Sequence, residues 1–250
     1  TSPTDVFTPR GRTSGLLDES QMAAVDRIRR QDLVFLWGPP GTGKTHTLGE
    51  AITHLVRDGR RVLVLALANV AVDQVCLKTR DALLRHGEAS LLEGGKVLRL
   101  GYAHDPAVLR DRRFFPDKVR SDELRQELRA VRQRIKTGTK LPTDERAKLV
   151  NRRVELEQLL SSITKTFVRD ARVVLTTLMQ LCIGTAFEDA PPFDSVVLDE
   201  ASMIPIPQLL IAAQRARSQL VVAGDFRQLA PIAMARSAAA NAWLHRDAFS

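Results

Sequence analysis

Gly38-Pro39-Pro40-Gly41-Thr42-Gly43-Lys44-Thr45 fits the pattern G-x-x-x-x-G-K-[ST] at every fixed position. Leu33-Val34-Phe35-Leu36-Trp37 just before it is a short apolar run that reads as a buried strand. Thr45 to Val56 reads as a helix ended by Asp58-Gly59. Strand, glycine loop and helix together make a cradle for a nucleotide phosphate. The glycines let backbone N–H groups turn inward, and the helix N-terminus adds unpaired donors and a positive dipole. In such a cradle Lys44 reaches the β- and γ-phosphates and the Thr45 hydroxyl ligates Mg²⁺.

Working outward, the chain alternates strands with helices. Asp18-Glu19-Ser20-Gln21 opens a helix to about Arg30. The Asp18-x-x-Gln21 spacing is that of a capping box, in which Gln21 returns to the Asp18 N–H; the other reading is that Gln21 holds an adenine edge. Arg61-Val62-Leu63-Val64-Leu65-Ala66 reads as a second strand, leading into Asn69-Val70-Ala71-Val72-Asp73-Gln74 and a helix through Leu84. Lys96 to Gly101 reads as a third strand after the Gly94-Gly95 turn. Further strands end in Thr176-Thr177, in Asp199-Glu200 and in Gly224-Asp225. This alternation predicts an α/β fold, a parallel sheet flanked by crossover helices. Each strand ends in small or polar residues, and the carboxyl ends of such strands border the ligand crevice.

The alternation breaks between Asp105 and Lys165. Leu124, Leu128, Val131 and Ile135 recur at helical spacing, with Ser121 as a cap and Asp122 and Glu123 in the first turn. After Gly138 and Pro142 a second helix carries Leu149, Val150, Val154, Leu156 and Leu160. Two helices of about 16 and 19 residues with a short loop between them make an inserted antiparallel hairpin. Residues 105–165 hold 16 Lys+Arg and 10 Asp+Glu, so this basic segment supplies +6 of the net +8. Such a surface is either a solvated face or an electrostatic track for a phosphate backbone. Residues 1–16 read as a linker, and 17–104 with 166–250 as one discontinuous nucleotide-binding domain.

The 44% hydrophobic content supports a sizeable core, and the basic balance points to a polyanion, nucleic acid before anionic membrane. Two cysteines imply neither a disulfide framework nor a metal cluster. No apolar run approaches a membrane span and no signal peptide is evident, so an intracellular, reducing, cytoplasmic setting is expected. Arg outnumbers Lys and alanine is abundant, which hints at a GC-rich bacterial source. The chain begins at Thr1, which suggests a piece of something longer.

Val196-Val197-Leu198 delivers two carboxylates. Asp199 is placed to hold Mg²⁺ through its water shell, and Glu200 to act as general base on an attacking water. In Gly224-Asp225-Phe226-Arg227-Gln228-Leu229-Ala230-Pro231 a long amide sits where it can sense a γ-phosphate.

These pieces in this order resemble superfamily 1 nucleic-acid helicases, most closely the 1B branch of nonsense-mediated-decay and senataxin-like helicases, over nearly all of residues 17–235. The resemblance implies a P-loop NTPase, the first RecA-like domain of a motor that uses ATP and Mg²⁺ to move 5′ to 3′ on single-stranded DNA or RNA. It implies that Gln21 contacts adenine, that Gly38, Pro39, Pro40, Gly41, Thr42, Gly43, Lys44 and Thr45 bind phosphate, and that Asp225 and Gln228 link nucleotide state to strand binding. It makes Asn69 and Val70 nucleic-acid contacts; Thr177, at the crevice end of its strand, is expected to join them. Ala68 stands where the family usually has Ser or Thr, Ser202 where Gln is common, and Phe226 where His or Pro is usual. The family's second RecA-like domain supplies arginines worth about 10³–10⁵ in rate. Residues 1–250 alone are therefore expected to bind nucleotide and turn it over poorly. A non-enzymatic alternative is an ATP-gated nucleic-acid clamp. A ring-forming ATPase is disfavoured by Gln21 and the Gly224–Pro231 stretch.

Overall fold

The computed structural model describes residues 17–138, 142–225, 227, 231, 235 and 237–249. Gln228 and Phe226 lie outside them, as does the stretch read as a linker. The elements run α1 (Glu19–Arg30), β1 (Leu33–Trp37), α2 (Lys44–Arg57), β2 (Val62–Ala66), α3 (Asn69–Arg85), α4 (Ala89–Glu93) and β3 (Val97–Arg99). They continue α5 (Pro106–Arg110), α6 (Pro116–Arg120), α7 (Asp122–Thr137), α8 (Thr143–Asp170), β4 (Val173–Thr177) and α9 (Leu178–Ile183). The last are β5 (Phe193–Leu198), α10 (Ile206–Ala213), β6 (Ala216–Gly224) and α11 (Ala238–Trp243). No helix among the described residues is long and apolar enough to cross a membrane.

All six strands pair in parallel, in the order β1-β6-β5-β2-β4-β3. A parallel sheet needs both faces covered, so its inner strands are apolar at successive positions. Val62 and Val64 of β2 pack with Ile52 and Leu55 of α2, Val75 of α3 and Val25 and Ile28 of α1. Leu63 and Leu65 of the same strand turn to the other face and pack with Val168 of α8, Leu181 of α9 and Ala212 of α10. A β-strand period of two divides one continuous apolar run between two cores.

Between β3 and β4 the chain leaves the sheet. Helices α7 and α8 meet through Leu128, Val131, Leu156 and Leu160, a small core of their own. Helix α8 is 28 residues long rather than about 19. Ser161, Ser162, Thr164 and Thr166 do not stop it: Ser162 donates back to Leu159 O and Thr166 to Ser162 O, while Thr164 donates to Asp117 Oδ2 and Ser161 meets the Thr185 hydroxyl. Val168 at its far end is fully buried, so tertiary packing carries the helix into the sheet layer. Ser121 precedes α7 but does not cap it with its side chain; its hydroxyl donates to the Asp117 carbonyl of α6 instead. The third strand is shorter than its apolar run, and its last residue, Arg99, turns inward to a buried acid.

That acid is Asp73 of α3. Arg99 and Asp73 are both fully buried, with Arg99 Nε donating to Asp73 Oδ1 at 2.8 Å. Asp73 Oδ2 accepts from the His104 and Asp105 N–H groups at 2.6 and 2.9 Å. The far guanidinium nitrogen donates to Asn69 Oδ1 at 3.0 Å and Tyr102 O at 2.7 Å. One ion pair thus joins the start of α3, the end of β3 and the loop after it. Removing one partner of a fully buried pair leaves an uncompensated charge. Asp73→Ala should lower unfolding free energy by about 3–5 kcal/mol in urea denaturation; a loss below about 1 kcal/mol would show that the pair is not a structural clamp.

Candidate nucleotide and nucleic-acid site

The carboxyl ends of all six strands lie on one edge of the sheet, as parallel pairing requires. The loop after β1 folds into a left-handed turn with Gly41 at φ +81° and Gly43 at φ +79°. The left-handed φ demands glycine at 43, and a Cβ there would lie 2.6 Å from Gln21 Nε2 and push that side chain off the loop. Pro39 O accepts from the Thr42 hydroxyl at 2.8 Å, and the Gly38 N–H donates to Gly224 O at 3.3 Å. Lys44 folds back onto the Gly38 carbonyl and lies 3.5 Å from Pro39 O, so its ammonium sits inside the loop.

Gln21 does two jobs. Its backbone N–H and side-chain oxygen close the capping box with Asp18, and its Nε2 donates to Thr42 O at 3.1 Å. Helix α1 is thereby fastened to the phosphate loop. The structure places the side chain against the cradle and satisfies the capping reading at the same time.

Asp199 follows β5 and is 4% exposed. The Thr45 hydroxyl lies beside it, and its Oδ1 accepts from the Glu200 N–H at 2.9 Å. Burial pushes its carboxyl up to about 6, reinforced by the adjacent Glu200 charge and only partly opposed by the Glu200 N–H, Lys44 and Thr45. Glu200 is exposed and left-handed at φ +55°, the one described non-glycine residue with positive φ. That conformation costs an L-residue about 1–2 kcal/mol and turns the carboxylate away from the strand axis. Asp225 Oδ1 accepts from Trp37 Nε1 and from the Arg227 N–H, each at 3.0 Å. Burial alone would raise Asp225, but those two donors, with Lys44 nearby, hold it below the usual carboxylate value.

Together these groups wall a cavity of about 510 Å³. Pro39, Pro40, Gly41, Gly43, Lys44 and Thr45 form one side, and Asp199, Glu200, Gly224 and Asp225 the other. His46, Gln74 and Lys78 also line it, and no motif pointed to them. Gln74 and Lys78 lie on α3, brought to the cavity by close packing of α2 on α3, where a Cβ on Gly49 would stand 2.7 Å from the Lys78 carbonyl carbon. Gly49, inside the stretch read as a helix, was the available signal.

Asn69 and Val70 open α3 on the same edge. Asn69 is half-buried and bound to Arg99, while Val70 is 58% exposed. Thr177 ends β4 and caps α9, its hydroxyl accepting from the Gln180 N–H at 3.3 Å. The three residues share an edge and are not gathered into one pocket with the phosphate loop.

A six-stranded parallel sheet with this loop after its first strand and two acids after its fifth defines a P-loop NTPase of RecA-like fold. A family model described as an AAA domain matches residues 16–153 and 111–236. The chain belongs to that family, in the superfamily 1 helicase branch, as a first RecA-like domain. It is 30% identical over 257 residues to a "Regulator of nonsense transcripts 1 homolog" of Neurospora crassa, covering 99% of this chain and 21% of that protein. It is 30% identical to "ATP-dependent helicase NAM7" of Saccharomyces cerevisiae, covering 89% of this chain and 21% of that protein. It is 31% identical to "DNA polymerase alpha-associated DNA helicase A" of the same yeast, covering 86% of this chain and 33% of that protein. The chain therefore spans only a fifth to a third of the length of these relatives.

The Asp199 environment makes a stability prediction. A carboxylate raised from 3.8 to about 6 on folding favours the folded state below its unfolded value and loses that contribution as pH rises through 6. The difference corresponds to about 3 kcal/mol. Urea unfolding without nucleotide or divalent cation should show Asp199→Asn gaining on the parent as pH rises from about 4 to about 7, then running parallel to it. A pH-independent difference would refute the assignment.

Proposed function

We propose that this chain is the ATP-binding half of the motor of an ATP-dependent helicase or translocase acting on single-stranded nucleic acid. The observation that carries the reading is a buried, under-compensated Asp199 that lines the phosphate-loop cavity together with Thr45. A hydroxyl and a carboxylate are the hard oxygen donors that Mg²⁺ takes, and a carboxylate this costly to bury is suited to a cation. Thr45 and Asp199 would hold such a cation, which would supply positive charge against the negative charge that develops on the phosphate.

The chain's own residues supply the rest. The loop N–H groups and the α2 N-terminus bind phosphate, and Lys44 leaves the Gly38 carbonyl for the β- and γ-oxygens. Glu200 orients a water and takes its proton as general base. Gln21 holds the adenine edge while keeping α1 on the loop, and Asp225, with Gln228 beyond it, reads the γ-phosphate. A second RecA-like domain supplies arginines across the cleft. Single-stranded DNA or RNA runs over Asn69, Val70 and Thr177 by its backbone, in the 5′ to 3′ sense of the superfamily 1B resemblance. We assign 17–104 and 166–250 to the motor domain and 105–165 to an inserted basic hairpin beside that track. The setting we propose is the cytoplasm of a bacterial cell.

The test uses the full-length protein with a single-stranded oligonucleotide. Lys44→Ala should weaken ATP binding about 10- to 100-fold. Glu200→Gln should leave ATP binding within about twofold and lower turnover about 10²–10⁴-fold. Unchanged turnover in Glu200→Gln would remove the base assignment, and ATP binding without turnover in the parent would identify a clamp instead of a motor.

A further inference from the structure

Helices α2 and α3 carry the phosphate loop and Asn69 at their N-termini, and their opposite ends meet at a cluster that the nucleotide site does not use. His46, Glu50 and His54 recur every fourth residue and share one face of α2. That face meets His86, the residue that caps the C-terminus of α3. Glu50 is 6% exposed. Its Oε1 pairs with Arg85, and its Oε2 lies 2.8 Å from His86 Nε2. The His54 and His86 rings meet edge to face with centroids 5.0 Å apart. One oxygen of Glu50 and one nitrogen from each of these two rings all lie within 4.8 Å of one another.

We propose that Glu50, His54 and His86 bind a divalent transition metal, Zn²⁺ by donor type, which clips the C-terminal half of α2 to the end of α3. Two imidazoles and a carboxylate form a donor set that Zn²⁺ accepts, with a fourth position left for water. The oxygen-only pair at Thr45 and Asp199 suits Mg²⁺ instead, so the two sites differ in chemistry. Arg85 on Oε1 acts as outer partners do at metal-bound carboxylates: it fixes the group and leaves Oε2 to ligate. A metal takes imidazole in its neutral form, so uptake is favoured near neutral pH rather than in acid.

On uptake the metal replaces the proton between Glu50 Oε2 and His86 Nε2, and a proton resides on Nδ1 of the ligated ring. Arg57, 3.4 Å from that Nδ1, turns toward Glu88, which is already 3.4 Å from its Nε. His46 lies 4.0 Å from Glu50 Oε1 and also lines the nucleotide cavity, so the clip stands one helical turn behind the phosphate loop. Its effect is to hold together the two helices that carry the nucleotide and nucleic-acid edges.

The test is titration of the metal-stripped chain with Co²⁺ and then Zn²⁺ near neutral pH, without nucleotide. One equivalent of Co²⁺ should bind with visible absorption bands, and Zn²⁺ should displace it. Zn²⁺ at about a hundredfold over its Kd should raise the melting temperature by about 5 °C or more. His54→Ala and His86→Ala should each weaken Zn²⁺ binding more than about 100-fold, with circular dichroism in chelator unchanged, while Asp199→Asn binds as the parent does. On the parent chain itself, two of the five histidine rings should shift in nitrogen-resolved NMR on Zn²⁺ addition. No stoichiometric uptake, binding that survives both histidine variants, binding lost in Asp199→Asn, or a different number of responding rings would each overturn the site.

Discussion

An all-parallel sheet has one edge where every strand ends, and the chemistry of this chain hangs from that edge. Parallel pairing forces each connection to cross back over a face, so no strand can end elsewhere. The phosphate loop after β1, Asn69 after β2, Thr177 at the end of β4, Asp199 after β5 and Asp225 after β6 are consequences of that constraint. Strand order then decides which ends are neighbours. Strand β6 lies between β1 and β5, so Gly224 O receives the Gly38 N–H while the acids after β5 face the loop from beyond it.

Two buried acids on that edge are treated in opposite ways. Asp73 is matched by Arg99 and two backbone N–H groups, and all three hydrogen bonds hold the frame. Asp199 accepts one N–H, and burial, with a second carboxylate beside it, raises its pKa. A compensated buried charge is architecture, and an under-compensated one is stored binding capacity for a cation. The left-handed backbone of Glu200 belongs with the second kind, because local strain collects where a side chain must be aimed.

Legibility from sequence followed the range of the interaction. The cradle at 38–45 was readable because its glycines, lysine and threonine act within a single turn. The two-faced apolar strands were readable because burial on both sides leaves a continuous run. The full length of α8 was not, because Ser161 to Thr166 look like weak helix formers until Val168 is packed under the sheet. Ser121 reads as a cap by type, yet the turn of α6 just before it offers a closer carbonyl. Asp73 reads only as a residue in the opening turns of a helix, and the inward turn of Arg99 from a strand shows it buried. His46, Gln74 and Lys78 carry no local signal, since their arrival at the cavity depends on how closely α2 and α3 approach at Gly49.

The sequence by itself determined the α/β class, the phosphate-binding loop, the acid pair after an apolar strand and the basic character of residues 105–165. Each is written in contiguous residues, where backbone geometry and side-chain type suffice. Tertiary structure alone decided that Gln21 both caps α1 and grips Thr42, that Asn69 is held by Arg99, and that Asp199 meets Thr45. It also brought Glu50, His54 and His86 together from two helices. These are contacts between residues tens of positions apart, and their existence rests on strand order and helix packing, which no local pattern encodes.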